Sequence, residues 1–214
     1  MGQDLRITEI FYSLQGETRS TGLPTVFVRL TGCPLRCRYC DTAYAFTGGT
    51  RWSQEAILQE VSAYAPSYVT VTGGEPLAQS AVLPLMRALC DQGYTVSVET
   101  SGALSIAGID PRVSVILDIK TPGSGEEARN EYANLAHLKP LDQIKFVLTD
   151  RNDYEWSRAF IADHRLHERC EVLLSPVAGV LPPADLADWI LADRLPVRFQ
   201  MQLHKVLWGD VHGR

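Results

Sequence analysis

The sequence has few features of a membrane, secreted or nucleic-acid-binding protein. No apolar run approaches the length of a membrane span, and the N-terminus has no signal-peptide pattern. Asp and Glu number 25 against 20 Lys and Arg, so no broad basic face is offered to nucleic acid. The five cysteines are an odd number, which argues against a secreted disulfide framework. These absences predict a cytoplasmic protein that binds neither membrane nor nucleic acid.

Repeats, low-complexity tracts and linkers are also absent, so residues 1–214 are interpreted as one domain. Apolar, β-branched runs alternate with amphipathic segments along the chain. The runs predict strands over residues 25–31, 68–72, 94–99, 113–118, 143–149, 170–175 and 197–203. The amphipathic segments predict helices over residues 53–64, 81–92, 153–164 and 183–193, and a weaker one over 126–137. No helix is expected over residues 100–112.

Alternating strands and helices imply a parallel sheet with right-handed crossovers. Six or seven strands with few spare residues predict an α/β fold, namely an abridged (β/α) barrel of mostly parallel strands. A doubly wound open sheet is the alternative. In either fold the site lies at the carboxyl ends of the strands. Polar, glycine-rich motifs follow successive predicted strands, which places them at one site.

The most informative motif is a triplet of cysteines with the spacing C-x3-C-x2-C, formed by Cys33, Cys37 and Cys40. No fourth cysteine lies nearby. A structural zinc site completed by a distant histidine is one interpretation. A cubane iron–sulfur cluster is the other, because it takes one protein ligand per iron. Three cysteines would then leave one iron open for a further ligand.

Three cysteines at this spacing, with Tyr39 before the last one, resemble the radical S-adenosylmethionine (SAM) superfamily. The "GGEP" at Gly73–Pro76 resembles its second motif. The stretch Glu9–Phe46, followed by "TGGEPL", "VETSG", "LDIK", "KFV" and the "QLHKVLWG" of Gln202–Gly209, is similar to the 7-carboxy-7-deazaguanine synthase family over nearly the whole chain. Thr18 departs from that family, many members of which have glycine there.

The resemblance implies a ring-contracting carbon–nitrogen lyase of queuosine and 7-deazapurine biosynthesis. Its reaction would convert 6-carboxy-5,6,7,8-tetrahydropterin into 7-carboxy-7-deazaguanine with loss of ammonia. The implied cofactors are a 4Fe-4S cluster, SAM and Mg²⁺. The implied partners are the pterin substrate, an external flavodoxin-like or ferredoxin-like electron donor and a second copy of the chain in a homodimer.

The resemblance also assigns residues. The cluster ligands would be Cys33, Cys37 and Cys40, and Thr42 would bind Mg²⁺. No side chain is assigned as catalytic, because the radical would arise from cluster-bound SAM. The predicted SAM contacts are Tyr39, Cys40, Asp41, Gly73, Gly74, Glu75, Gly102, Lys145, Phe146, Val147, Ser175, Pro176, Val177 and Ala178. The predicted pterin contacts are Leu14, Gln15, Gly16, Glu17, Arg29, Thr100 and His204.

Structural interpretations stay open for several of these residues. Gln15 and Glu17 could be ordinary turn residues, and Arg29 could lie at a strand edge. His204 could be a structural histidine held by hydrogen bonds. Cys90 and Cys170 are expected to be small buried side chains. Three functions compete with the synthase: a glycyl-radical enzyme activase, a non-enzymatic zinc or electron-transfer protein, and a radical enzyme acting on tRNA.

Overall fold

The computed structural model describes residues 4–213, which form one nine-stranded sheet with helices packed against it. The strands are β1 (Leu5–Leu14), β2 (Pro24–Leu30), β3 (Thr50–Trp52), β4 (Tyr68–Gly73), β5 (Thr95–Thr100), β6 (Ser114–Asp118), β7 (Gln143–Leu148), β8 (Glu171–Pro176) and β9 (Arg198–Phe199). The helices are α1 (Gln54–Ala63), α2 (Val82–Asp91), α3 (Arg151–Asp163), α4 (Pro183–Asp193) and α5 (Leu203–Trp208). The strand order is β3-β1-β2-β4-β5-β6-β7-β8-β9.

The sheet is an open, abridged barrel, as the sequence predicts. Strands β2 and β4 to β9 are parallel neighbours, whereas β1 pairs antiparallel with both β2 and β3. Six of the seven predicted strands are confirmed to within one residue at each end. Among residues 4–213, no helix is long and apolar enough to cross a membrane.

The strand predicted over residues 197–203 is wrong for most of its length. Only β9, of two residues, pairs with β8, and helix α5 begins at Leu203. Gln200 still donates its backbone amide to the carbonyl of Leu174 on β8 at 2.9 Å, and its side-chain amide donates to the carbonyl oxygens of Gly16 and Met201, at 3.2 and 2.9 Å. After Gln200 the chain is held by the loop between β1 and β2 instead of by β8, because the Leu203 amide donates to the carbonyl of Gly16 at 3.2 Å.

The four main predicted helices are confirmed to within two residues, and Ser53 caps α1 by accepting a hydrogen bond from the Ala56 amide. The weaker helix over residues 126–137 is replaced by two short 3-10 helices, Glu127–Arg129 and Tyr132–His137. Asn134 explains why: its side chain accepts from the Ile106 amide and donates to the carbonyl of Leu104. The segment therefore serves to fix the loop after β5, which contains no helix, as expected.

The loop between β1 and β2 ties the first strands to the last ones. The Arg19 amide donates to Gln143 on β7, and the Leu203 amide donates to the carbonyl of Gly16. Thr18 lies in this loop and is buried, but its φ is not positive, so the position does not need glycine. The Gln15–Gly16–Glu17 motif is thereby held at the mouth of the barrel.

Candidate active site at the carboxyl end of the barrel

A cavity of about 760 Å³ opens at the carboxyl ends of the parallel strands. The three cysteines of the loop after β2 line one side of it, and the Gly73–Gly74 turn after β4 lies beside them. Charged side chains from β5, β6 and β7 and from α5 line the rest. The motifs that follow separate strands in the sequence therefore meet at one site, as their positions predict.

The three thiols are half-buried and free. Burial raises the pKa of all three, that of Cys37 to about 11, so metal binding must displace protons from neutral thiols. Within residues 4–213, no three His, Cys, Asp or Glu side chains converge on a position for a single metal ion. A tetrahedral zinc site needs such convergence. The donor set fits a cubane cluster, in which each thiolate binds a different iron.

The two glycines after β4 allow backbone to pack directly on the cysteine loop. A Cβ added at Gly74 would lie 2.8 Å from the Cβ of Cys33, and one at Gly73 would lie 2.5 Å from the carbonyl oxygen of Leu30. Neither distance is tolerated by a real side chain. The amide of Glu75 donates to the carbonyl of Gly32 at 2.7 Å, which joins the two motifs. Gly73 and Gly74 consequently leave bare backbone facing the cavity beside the thiols.

The carboxylate of Glu75 lies outside the cavity lining and is fully buried. It accepts hydrogen bonds from the Thr100 hydroxyl at 2.9 and 3.0 Å and from the Ser101 amide at 2.7 Å. The Ser101 hydroxyl and the Leu77 amide also donate to it, at 2.5 and 2.9 Å. Glu75 and Thr100 therefore bind each other, and their side-chain groups hold β4 and β5 together.

A network of ion pairs crosses the floor of the cavity. Lys145 on β7 lies 2.6 Å from Glu17 and 3.8 Å from Asp118, which also pairs with Lys120 at 2.9 Å. Burial lowers the pKa of both lysines, but the neighbouring carboxylates outweigh it and raise their pKa values well above the usual range. Burial raises the pKa of Glu17, but Lys145 and His204 lower that pKa by more, so the net shift is downward. Lys120, Lys145 and Glu17 are therefore charged at neutral pH.

Glu99 is the exception among the carboxylates that line the cavity. Glu17, Asp41, Asp118 and Asp210 each lie within 4.0 Å of a lysine or histidine nitrogen in the described part of the chain, and Glu99 does not. It accepts from the Gln15 amide at 3.1 Å and from the Thr72 hydroxyl at 3.4 Å. Burial raises the pKa of Glu99, and the nearby charges reduce that rise only in part.

The Gln15 amide has all its polar groups engaged. Its Nε2 donates to Thr70 and Glu99, both at 3.1 Å, and its Oε1 accepts from the Glu17 amide at 3.0 Å. Only 2% of the residue is exposed. Gln15 thus orients Glu99 and the Glu17 backbone from beneath, while the charged groups themselves face the cavity.

Arg29 lies on β2 with its guanidinium at the cavity wall. Its Nε donates to Glu9 at 2.7 Å, and the Tyr44 hydroxyl donates to the same oxygen at 2.7 Å. The guanidinium carbon lies 5.6 Å from the centre of the Phe11 ring. The two terminal nitrogens make no hydrogen bond with residues 4–213, so they are free to bind a further group.

Asp41 and Thr42 follow the last cysteine and face the C-terminal segment across the cavity mouth. The Thr42 hydroxyl donates to Asp41 at 2.8 Å, and Asp41 also lies 3.8 Å from His204 and 3.6 Å from Lys205. Burial raises the pKa of Asp41, but hydrogen bonds from His204 and Thr42 outweigh it and hold that pKa well below its usual range. Lys205 also pairs with Asp210 at 2.5 Å, which fixes the segment after α5 over the site.

Most residues predicted for the site line this cavity, but five do not: Glu75, Gly102, Phe146, Ser175 and Pro176. Phe146 packs in the core against Trp156 and Phe160, on the helix side of the sheet. The predictions missed several side chains that do line the cavity, namely Phe11, Arg38, Thr72, Glu99, Asp118, Lys120 and Lys205.

The model of the Radical SAM superfamily matches residues 27–117, which include the cysteine loop and the glycine turn. A 7-carboxy-7-deazaguanine synthase from Chlorobaculum tepidum is 47% identical over 213 residues, covering 98% of this chain and 97% of the relative. The chain belongs to this family. A 7-carboxy-7-deazaguanine synthase from Koribacter versatilis is 44% identical and covers 95% of this chain and 97% of its own length.

The solved structures agree with the sequence relatives. The crystal structure of QueE from Escherichia coli superposes with a TM-score of 0.73 at 26% identity, covering 94% of this chain and 95% of that one. Family membership and the abridged barrel are therefore established along almost the entire chain. The synthase interpretation is favoured over the activase, the electron-transfer protein and the tRNA enzyme.

Proposed function

We propose that the chain is a 7-carboxy-7-deazaguanine synthase. It would contract the ring of 6-carboxy-5,6,7,8-tetrahydropterin to 7-carboxy-7-deazaguanine with loss of ammonia, in queuosine or 7-deazapurine biosynthesis. The observation that carries the proposal is that three thiols, a bare glycine backbone and an arginine with free terminal nitrogens line one cavity. Its volume of about 760 Å³ suits a cofactor and a small substrate together.

The residues present fit the implied cofactors. Cys33, Cys37 and Cys40 would hold a 4Fe-4S cluster, which with SAM supplies the 5′-deoxyadenosyl radical that begins the reaction. The exposed backbone of Gly73 and Gly74 would receive the methionine part of SAM, because its carbonyl groups can accept from an ammonium group. Tyr39, Val147 and Val177 line the cavity nearby and would shield this region from water.

The charged groups of the cavity would bind and orient the pterin. Arg29 would receive the substrate carboxylate through its terminal nitrogens, since Glu9 already holds its Nε. Glu99 and Glu17 would accept from ring N–H and amino groups, with Gln15 positioning both. His204, 3.8 Å from Glu17, would close the pocket from α5. In this arrangement the protein aligns the substrate and excludes solvent.

Mg²⁺ would bind at Thr42. Because the hydroxyl hydrogen is directed at Asp41, the lone pairs of the oxygen remain available to a metal ion. The substrate carboxylate and water would complete the octahedron. We further propose that the chain is a single radical SAM domain and that it works in the cytoplasm. It would act as a homodimer, and sedimentation analysis would test that oligomeric state.

The deciding experiment is an anaerobic incubation of the iron- and sulfide-reconstituted protein with dithionite, SAM, Mg²⁺ and 6-carboxy-5,6,7,8-tetrahydropterin, read by mass spectrometry. We expect 7-carboxy-7-deazaguanine and one equivalent of ammonia. Cys37→Ala is the matched control and should form neither product. A wild-type protein that binds a full cluster and cleaves SAM, but leaves the pterin unchanged, would refute the proposed substrate.

A further inference from the structure

Two exposed arginines lie opposite each other at the edge of the sheet and have no acidic partner in the described residues. Arg6 on β1 and Arg51 on β3 are directly opposite in the antiparallel pair, and both are exposed. Neither has a carboxylate within 4.0 Å in residues 4–213. Like charges directly opposite each other destabilise a sheet. The chain has net charge -5, so the arrangement does not reflect a shortage of acidic residues.

This pair is connected to the cysteine loop through a short segment. The Nη1 of Arg6 donates to the carbonyl of Gly48 at 3.0 Å, and Phe46 stands two residues before that glycine. The guanidinium of Arg36, from the cysteine loop itself, lies 4.2 Å from the centre of the Phe46 ring. Its Nη1 donates to the carbonyl of Cys33 at 2.8 Å. The Arg6–Arg51 pair is thus connected, through Gly48, Phe46 and Arg36, to the backbone of Cys33.

The cysteine loop extends the same surface. Arg36 is exposed and lies outside the cavity lining, whereas Arg38 is exposed at the cavity itself. Neither arginine forms an ion pair in the described part of the chain. Glu126 accepts from the backbone amide of Arg36 at 2.6 Å and, among the described residues, from no guanidinium. Arg6, Arg36 and Arg51 together are called the arginine surface below.

We propose that the arginine surface docks an acidic one-electron carrier protein that reduces the cluster. The inference rests on the proposed function, in which the cluster must receive one electron from outside. The carrier is oxidised by one electron, the cluster is reduced by one, and no bond forms or breaks in the transfer. Charge complementarity raises the rate of encounter between such partners and orients them. Docking here places the carrier against the loop that carries the thiols, because Arg36 belongs to that loop and donates to the carbonyl of Cys33.

The test compares a protein donor with a chemical one. Reduced flavodoxin, an acidic carrier, is supplied to the reconstituted enzyme at low salt, and formation of 5′-deoxyadenosine is measured against flavodoxin concentration. The double variant Arg6→Glu/Arg51→Glu reverses the charge of two arginines of this surface, and neither residue lines the cavity. We expect kcat/KM for flavodoxin to fall at least tenfold, and dithionite-driven turnover to stay within twofold of wild type. Arg194→Glu is the control, because this exposed arginine follows α4 at the amino-terminal ends of the strands.

A binding measurement separates this proposal from the proposed function. The dissociation constant of oxidised flavodoxin should rise at least tenfold in the double variant and should rise with salt in the wild type. Absence of pterin turnover with dithionite would contradict the proposed function and leave this measurement valid. Equal affinity of wild type and variant for flavodoxin would overturn the docking site. An equal loss of flavodoxin-driven and dithionite-driven turnover in the variant would overturn it too. Weakened binding of tRNA with unchanged flavodoxin binding would also overturn it.

Discussion

Replacing Glu75 with glutamine is expected to destabilise the fold by about 2–4 kcal/mol before any cofactor is present. One carboxylate oxygen accepts from the Ser101 amide at 2.7 Å and the other from the Leu77 amide at 2.9 Å. An NH₂ group at either position faces a backbone N–H that cannot turn away. Leaving that buried donor unpaired costs about 1–3 kcal/mol, and the remaining bonds lose about another 1 kcal/mol of charge assistance.

Urea unfolding of the cluster-free protein measures this loss as a lower free energy of unfolding at unchanged m-value. Thr100→Val is the companion variant, because it removes a hydroxyl that donates to the same carboxylate. It should cost about 1–3 kcal/mol, since the buried carboxylate loses one of its donors. The reasoning would be refuted if Glu75→Gln unfolded within 0.5 kcal/mol of wild type. Loss of SAM affinity in such a variant would make the carboxylate a cofactor ligand instead.

Four further predictions address the site. Cys37→Ala should lose the brown colour and all SAM cleavage, whereas Cys90→Ala should keep its iron content in a colorimetric assay. Arg29→Lys should weaken carboxypterin binding at least tenfold, with SAM binding nearly unchanged by calorimetry, because lysine lacks the planar fork. Thr42→Val should blunt the rise of turnover with Mg²⁺ at constant iron content, and an unaltered Mg²⁺ response would remove Thr42 as a ligand. The pKa of Glu99 is raised on folding, so its stabilising effect is present at low pH and lost as pH rises through the folded-state value. Glu99→Gln should therefore raise the free energy of unfolding more at pH 7 than at pH 4, and the opposite trend would contradict the assignment.

The parallel strands could be predicted because they are buried on both faces and therefore nearly all apolar. The burial of every residue in β7 is the clearest case. Strand β1 could not be found this way, because it is antiparallel, lies near the edge and mixes Glu9 and Ser13 with apolar residues. Strand β3 has three residues, too few for any period. The local pattern of apolar residues thus identifies the strands in the middle of the sheet better than those at its edge.

In the site, motif residues were predicted more reliably than the direction of their side chains. Successive residues of a strand point to opposite faces, so Lys145 and Val147 reach the cavity and Phe146 between them packs under the helices. The same alternation directs Glu99 to the cavity and could have been used to find it. The side-chain partners of Glu75 and Gln15 could not be predicted, since they come from strands distant in sequence.

The cysteine loop borders two different charge environments. On the cavity side Lys120 is paired with Asp118 at 2.9 Å, so the floor beneath the thiols is close to neutral and binds through local hydrogen bonds. On the outer side Arg36 has no acidic partner in the described residues and lies with other arginines on open surface. Unpaired surface charge acts over about 8 Å in physiological salt and attracts a large acidic partner, whereas paired buried charge recognises a small ligand at contact distance. The electron and the substrate would therefore reach the cluster from opposite sides of one short loop.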